Sequence, residues 1–265
     1  MIRTSSLLSI LHELPDYGIS IFLLIMILLF YIIGSRVGKW QKKVNPEGKS
    51  EGVGPLEGAL LGLLSLMLSF TFSSANSRYE SRNALIADEA NEISTAVSRS
   101  DLYPDSIRIL YQKDLKNYVE VRIRYYEAAN DEKKVQGALK DSKKIIHDVW
   151  QRTADLSRPT TSSMPHSLMI ATVNKLSDLI SAREVARIKR VPDLIIWLLI
   201  SLSLLGSFII GYARKERKKD WIIIGIYTIM NVATIFTILD LDRPFSGVIK
   251  TDKIHAKMIT LRELF

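Results

Sequence analysis

Residues 52–99 read GVGPLEGALLGLLSLMLSFTFSSANSRYESRNALIADEANEISTAVSR, and the fold turns on how this stretch is taken. Its first part, residues 53–75, is apolar and long enough to cross a bilayer as a helix. No proline or glycine occurs from Leu63 to Arg99, so the helix is predicted to run on into water. There Arg78, Glu80, Arg82, Asp88, Glu89, Glu92 and Arg99 make it charged. In the apolar part Gly54, Gly58, Gly62, Ser65, Ser69 and Ser73 recur at steps of four and three. That spacing puts them on one helix face. Leu60, Leu63, Leu64, Met67 and Phe70 are assigned to the other face. A face of small residues lets a second helix approach closely in lipid. The same face, repeated in several copies around an axis, lines a pore. Both readings are open at this point. One acid, Glu57, sits a turn inside the span, where an ionisable group is expensive unless it meets water or a partner.

Three more apolar runs flank this element. IFLLIMILLFYII at 21–33 lies within a predicted span at 18–35, and two further spans are predicted at 192–212 and 221–239. The first run is not read as a signal peptide: little charge precedes it, no small-x-small site comes after it, and its far flank is basic. Charged residues make up 24%, close to a soluble average, yet the mean hydropathy is positive, at +0.11. Apolar blocks and a charged block must therefore be segregated along the chain. The formal net charge is +8, and much of the excess sits beside apolar runs. Lipid headgroups explain that placement, so no nucleic-acid partner is expected. Trp40, in a basic flank, reads as an interface anchor. The absence of cysteine excludes disulfides, thiolate catalysis and cysteine-ligated metal.

Residues 76–190 carry the charged block, which reads as four helices with apolar positions near a 3.6-residue period. The first continues the second span to about Arg99. Asp101-Leu-Tyr-Pro104-Asp105 breaks it, and a second helix comes next with Ile107, Leu110, Tyr111, Leu115, Tyr118, Val119, Arg122 and Tyr126 in its stripe. A third runs over about 132–156. A fourth starts near Ser167 and is expected to flow into the third span. No stretch alternates with period two, so no sheet is predicted. The fold class is all-α: a polytopic membrane protein with four transmembrane helices and a helical soluble block between spans two and three. Its divisions are 1–75 (tail, spans one and two), 76–190 (block), 191–239 (spans three and four) and 240–265 (C-terminal tail).

Phosphate-loop, dinucleotide, zinc-protease and nucleophile-elbow motifs are missing. His12, His147, His166 and His255 are scattered singly and read as surface residues. No enzyme, no cofactor and no metal site are expected. The ends of spans two, three and four must surface together on the block's side. That places Arg78, Arg82, Asp88, Glu89, Arg183, Arg187, Asp240, Asp242 and Arg243 in one layer. They form either a salt-bridge collar or an ion vestibule. The two short loops, on the opposite side, hold ten Lys or Arg, against one in the N-terminal tail. By the positive-inside rule the loops are cytoplasmic and the block is periplasmic.

Three blocks then carry a resemblance: GPLEGALLGLLSLMLSFTFSSANSRYESR at 54–82, DEANEISTA at 88–96 and DLDRPFSG at 240–247. The chain resembles the bacterial bestrophin-like family over nearly its whole length. Bestrophins are four-span, all-helical pentamers that conduct anions through a pore lined by the second span and the soluble helices after it. The resemblance therefore implies a homo-oligomer in the bacterial inner membrane, with the lipid bilayer and small anions such as chloride as partners. It implies a pore lined by Glu57, Gly58, Gly62, Ser65, Ser69, Phe72, Ser73 and Asn76. Phe70 and Phe72 are the candidates for a hydrophobic neck. Bestrophins keep their soluble block in the cytosol, opposite to the charge reading, and their calcium clasp of acids after the last span has no counterpart here.

Overall fold

The structure, a computed structural model, describes residues 16–45, 53–128, 131–158, 164–213, 221–243, 247–249 and 252–265. His12, Pro46, Gly48, the basic loop at 214–219 and residues 244–246 lie outside them. Among the described residues eight helices run in order: α1 Asp16–Val44, α2 Val53–Ser100, α3 Asp105–Glu127, α4 Glu132–Ser157, α5 Met164–Ile188, α6 Asp193–Ala213, α7 Trp221–Asp242 and α8 Asp252–Thr260, then a short 3-10 turn at Leu261–Leu264. The same residues contain no strand. In α1, α2, α6 and α7 the chain has four helices long and apolar enough to cross a membrane. It is a multi-pass, all-α membrane protein.

The chain divides into two compact units, Met1–Ser77 with Arg190–Asp242, and Arg78–Lys189 with Arg243–Phe265. In the first, α1 and α6 approach closely enough that glycine is required at the contact. A Cβ added at Gly34 would overlap the backbone carbonyl of Phe208, and one at Gly211 would overlap that of Tyr31. A Cβ at Gly206 would come within 2.6 Å of the Tyr227 hydroxyl. Small residues replace the missing hydrophobic driving force in lipid with close dispersion contact. Hydrogen bonds reinforce it. Ser207 donates to the Ile27 carbonyl at 2.5 Å, Tyr227 to the Ser203 carbonyl at 2.7 Å, and Ser203 to the Asn231 amide oxygen at 3.2 Å. At the far end of α7, Asp242 accepts from the Val191 backbone at 2.7 Å.

The second unit is a helical bundle around one core. Ile93 and Ala96 of α2, Tyr111, Leu115 and Val119 of α3, Val149 of α4, and Met169 and Leu176 of α5 are fully buried. Asp131 caps α4 by accepting from the Lys134 amide at 3.2 Å. The C-terminal segment joins this unit: Met258 and Leu261 enter the same core. Arg262 forks onto Glu120 with two bonds of 2.7 Å, and His255 stacks on Tyr126 at 3.8 Å.

Several expectations are corrected. α5 does not flow into the third span: it stops at Ile188, and α6 begins at Asp193. Pro192 lacks the amide that would continue α5 and sits where a helix restarts, its carbonyl accepting from Ile195 at 2.9 Å. The first apolar helix outlasts its span and continues to Val44. His166 and His255 are buried, not surface residues. Each is covered by an aromatic ring, Tyr103 edge-on to His166 and Tyr126 face-on to His255. His147 is exposed, as expected. The assignment of bulky residues to one face of α2 also fails in part. Leu64 is buried, but Leu63 and Phe70 are exposed, 47% and 62%.

Candidate functional site

The membrane half of α2 has two sides. Leu64, Thr71 and Ala75 are buried. Gly54, Gly58, Gly62, Ser65, Ser69, Phe72 and Ser73 are exposed, and Asn76 is half-buried on the same side. A Cβ added at Gly54, Gly58 or Gly62 meets nothing within 4 Å. Gly34, Gly206 and Gly211, by contrast, each meet atoms of a neighbouring helix, while Gly225 of α7 is as open as the α2 glycines. Where this chain needs glycine for helix packing, the neighbouring atoms are in place. Gly54, Gly58 and Gly62 of α2 serve no such contact within the chain. At 3.6 residues per turn Glu57 lies roughly 100° round the helix from the centre of the small row. It is on the side of Leu64 and Ala75, and it is half-buried.

Beyond the membrane half, α2 carries Arg78 and Arg82, then Glu89, about three turns past Arg78. Glu89 is buried completely and is held inside the helical unit. Arg122 of α3 faces it, with Nε 2.6 Å from Oε1 and Nη2 donating to Oε2 at 3.1 Å. Arg183 of α5 and the Tyr118 hydroxyl also donate to the same carboxylate. Burial alone would raise the Glu89 pKa. The charges of Arg122 and Arg183 and their hydrogen bonds outweigh it and hold the carboxyl down at about 2. Burial, and then the Glu89 charge, push the Tyr118 hydroxyl well above its ordinary value.

A second rung lies beside the first. The Tyr125 hydroxyl donates to Glu184 at 2.8 Å, and Arg187 bridges Glu184 at 2.9 Å and Glu132 at 3.0 Å. Burial, and then Glu184, raise Tyr125 to about 12. Its ring carries the Arg122 guanidinium at 4.5 Å. Together the two rungs set Arg122, Arg183 and Arg187 against Glu89, Glu184 and Glu132. The charges balance, and four helices are tied at one level.

Glu89 therefore sits in the bundle interior, paired there with Arg183 of the expected layer and with Arg122, which that layer did not include. Tyr118 and Arg122 were visible in the sequence only as members of an apolar stripe. An arginine inside such a stripe was the available signal, because a guanidinium at a core position demands an acid at matching depth. Asp240 and Asp242 close α7 in the first unit and are buried there. Arg78, Arg82 and Arg243 belong to the second unit. Among the described residues no group of three His, Asp or Glu side chains is placed to hold a metal ion.

A family model, the Bestrophin-like domain, matches residues 21–254. The fold is similar to crystal structures of a bacterial bestrophin homolog from Klebsiella pneumoniae. One single-substitution variant superposes with a TM-score of 0.72 at 15% identity, covering 95% of this chain and 97% of that one. Another gives 0.67 at 15% identity, covering 92% and 98%. A structure described only as a membrane protein variant gives 0.65 at 14% identity, covering 92% and 97%. At such identities the likeness is one of fold. No curated protein matches the chain by sequence.

Proposed function

The chain belongs to the bestrophin-like family, and from that premise we propose that it is a homo-oligomeric membrane channel for small anions, chloride among them. The ion path is lined by the small face of α2: Gly58, Gly62, Ser65, Ser69, Ser73 and Asn76. Phe72 provides its bulky apolar constriction, and Glu57 stands at its flank. Arg78 and Arg82, about half a turn and just under two turns past Asn76, sit on the far side of α2 from the row, with Arg82 buried, and act on the path through the positive charge they add at its block-side end. One observation carries this reading. The glycine row of α2 is open in its own protomer, while the glycines of α1 and α6 are filled by helix contacts. A lipid-facing surface gains nothing from glycine and serine, whereas a narrow aqueous path gains room and hydroxyl groups. A ring of acids would oppose anions. The position of Glu57 away from the row removes that conflict.

The test is flux through purified protein in liposomes and reversal potentials in planar bilayers under a chloride gradient. Wild-type currents are expected to reverse near the chloride equilibrium potential. Ser65→Trp and Ser69→Trp should each lower conductance by about an order of magnitude or more, because the indole fills the path. Glu57→Gln should leave the reversal potential nearly unchanged, and Arg78→Gln should move it toward cations. Absence of any wild-type current would leave the chain as a non-conducting membrane protein whose helical block binds a partner.

The charge pattern also supports an orientation, with the short loops in the cytoplasm and the helical block in the periplasm of an inner-membrane protein. A reporter active only outside the cytoplasm, fused after Phe265, is expected to be active. Labelling of a cysteine placed at Lys42 by an impermeant reagent on intact cells would reverse the assignment.

A further inference from the structure

The last turns of α1 carry a face that the channel reading does not use. The helix runs from Asp16 to Val44, 29 residues, or roughly 43 Å at 1.5 Å per residue. The hydrocarbon core is about 30 Å thick. Its C-terminal turns therefore emerge into the headgroup layer without losing helical form. Ile33, Val37, Trp40 and Val44 recur at steps of four, three and four and make one stripe. All four are exposed, Trp40 by 66% and Val44 by 64%. Such a stripe has no place in open water, and the adjoining flank of α1 is already taken. Gly34 packs on Phe208, and Gln41 accepts from the Tyr212 hydroxyl. Arg36, Lys39 and Lys43 line one flank of the stripe, all exposed. At about 100° per residue they fall within a single band beside Trp40. Apolar side chains for acyl carbons, an indole at headgroup depth and three cations along one edge fit one chemistry.

We propose that this face of α1 binds anionic phospholipid, with the phosphate-bearing headgroup held by Arg36, Lys39 and Lys43, Trp40 beside it, and the upper acyl chain laid on Ile33 and Val37. A zwitterionic lipid fills the apolar stripe equally well but gives no net charge to the flank. Each cation near the surface favours an anionic headgroup, so the face selects among lipids. The packing of Gly34 and Gln41 holds the presenting helix against α6.

Trp40 reports on the site directly. In protein with Trp150, Trp197 and Trp221 replaced by Phe, the remaining indole is quenched by brominated acyl chains that touch it. The protein is reconstituted in phosphatidylcholine vesicles in which a minority of the lipid is brominated, either as phosphatidylglycerol or as phosphatidylcholine. The expected result is quenching at least about twofold stronger by the phosphatidylglycerol. The excess should vanish in Arg36→Gln/Lys39→Gln/Lys43→Gln and at high salt. Equal quenching by both lipids would reduce the face to an unselective anchor and overturn the proposal. No quenching by either would show the stripe covered by protein, with the same consequence. Should the single-tryptophan protein fold poorly, phosphatidylglycerol is expected to raise the melting temperature of the wild-type chain in neutral detergent more than phosphatidylcholine does. That excess must also vanish in the triple Gln variant, or the proposal fails. Neither readout depends on ion conduction.

Discussion

Arg122→Ala is expected to destabilise the helical unit by about 3–5 kcal/mol, because it leaves the Glu89 carboxylate in the bundle core with half of its counter-charge removed. Arg122 and Glu89 are both fully buried, so solvent does not screen the loss. Arg183 and Tyr118 still donate to the carboxylate, which keeps the effect from being larger. Melting in detergent, monitored by far-ultraviolet circular dichroism, measures it. A double-mutant cycle with Glu89→Ala is expected to show coupling of about 2 kcal/mol or more. Additive effects would mean that the two charges are held independently. The pH dependence has a definite sign. Glu89 drops from the ordinary 4.5 to about 2 in the folded state. Its contribution is therefore complete above pH 4.5 and is lost as the pH falls from 4.5 toward 2. The depression corresponds to on the order of 3 kcal/mol. Glu89→Gln should flatten the stability profile in that window while lowering stability at neutral pH. A variant as acid-sensitive as the wild type would show that other carboxylates set the acid limb.

Gly211→Ala and Gly58→Ala are the same chemical change and are expected to go in opposite directions. At Gly211 the new Cβ overlaps the Tyr31 backbone oxygen and comes to 3.0 Å from the Ser35 nitrogen. Backbone atoms of a packed helix cannot turn aside as a side chain can, so α1 and α6 must move apart. Overpacking of this kind costs about 1–3 kcal/mol or more. Here the displacement also strains the bond from Ser207 to the Ile27 carbonyl. Loss of monodisperse protein in size exclusion, or a marked fall in melting temperature, is the expected result. At Gly58 the Cβ meets nothing within 4 Å, and alanine has the better helix propensity, by about 1 kcal/mol. Gly58→Ala should therefore leave the protomer as stable as before or slightly more so. Equal destabilisation at both positions would mean that the α2 face is packed as tightly as the α6 face. The row would then be a helix contact between copies and not the wall of a path.

Both predictions concern residues whose type was plain in the sequence and whose use was not. Gly34 and Gly211 gave no periodic signal, while Gly54, Gly58 and Gly62 gave a strong one. The strong signal marked the row that stays open, and the silent glycines made the tight contact. Periodicity reports that residues share a face of one helix. It carries no information about which neighbour, if any, comes to that face.

The sequence by itself determined that four helices are long and apolar enough to cross a membrane, the all-α class and the continuity of α2 from its apolar half into its charged half. These depend on hydrophobic length, on 3.6-residue periodicity and on the absence of breakers, all of which are local. The family resemblance was legible for a similar reason, since its three blocks are short contiguous stretches. Only the tertiary structure decided which charges pair. Glu89, Arg122 and Arg183 are 33 and 61 positions apart along the chain, and their meeting depends on how α2, α3 and α5 rotate about their own axes as their apolar stripes close on one core. It likewise decided the burial of His166 and His255 against tyrosines and the docking of Met258 and Leu261 into the bundle. Contacts between distant segments are fixed by packing, which satisfies all the helices at once, and no window of sequence contains that condition.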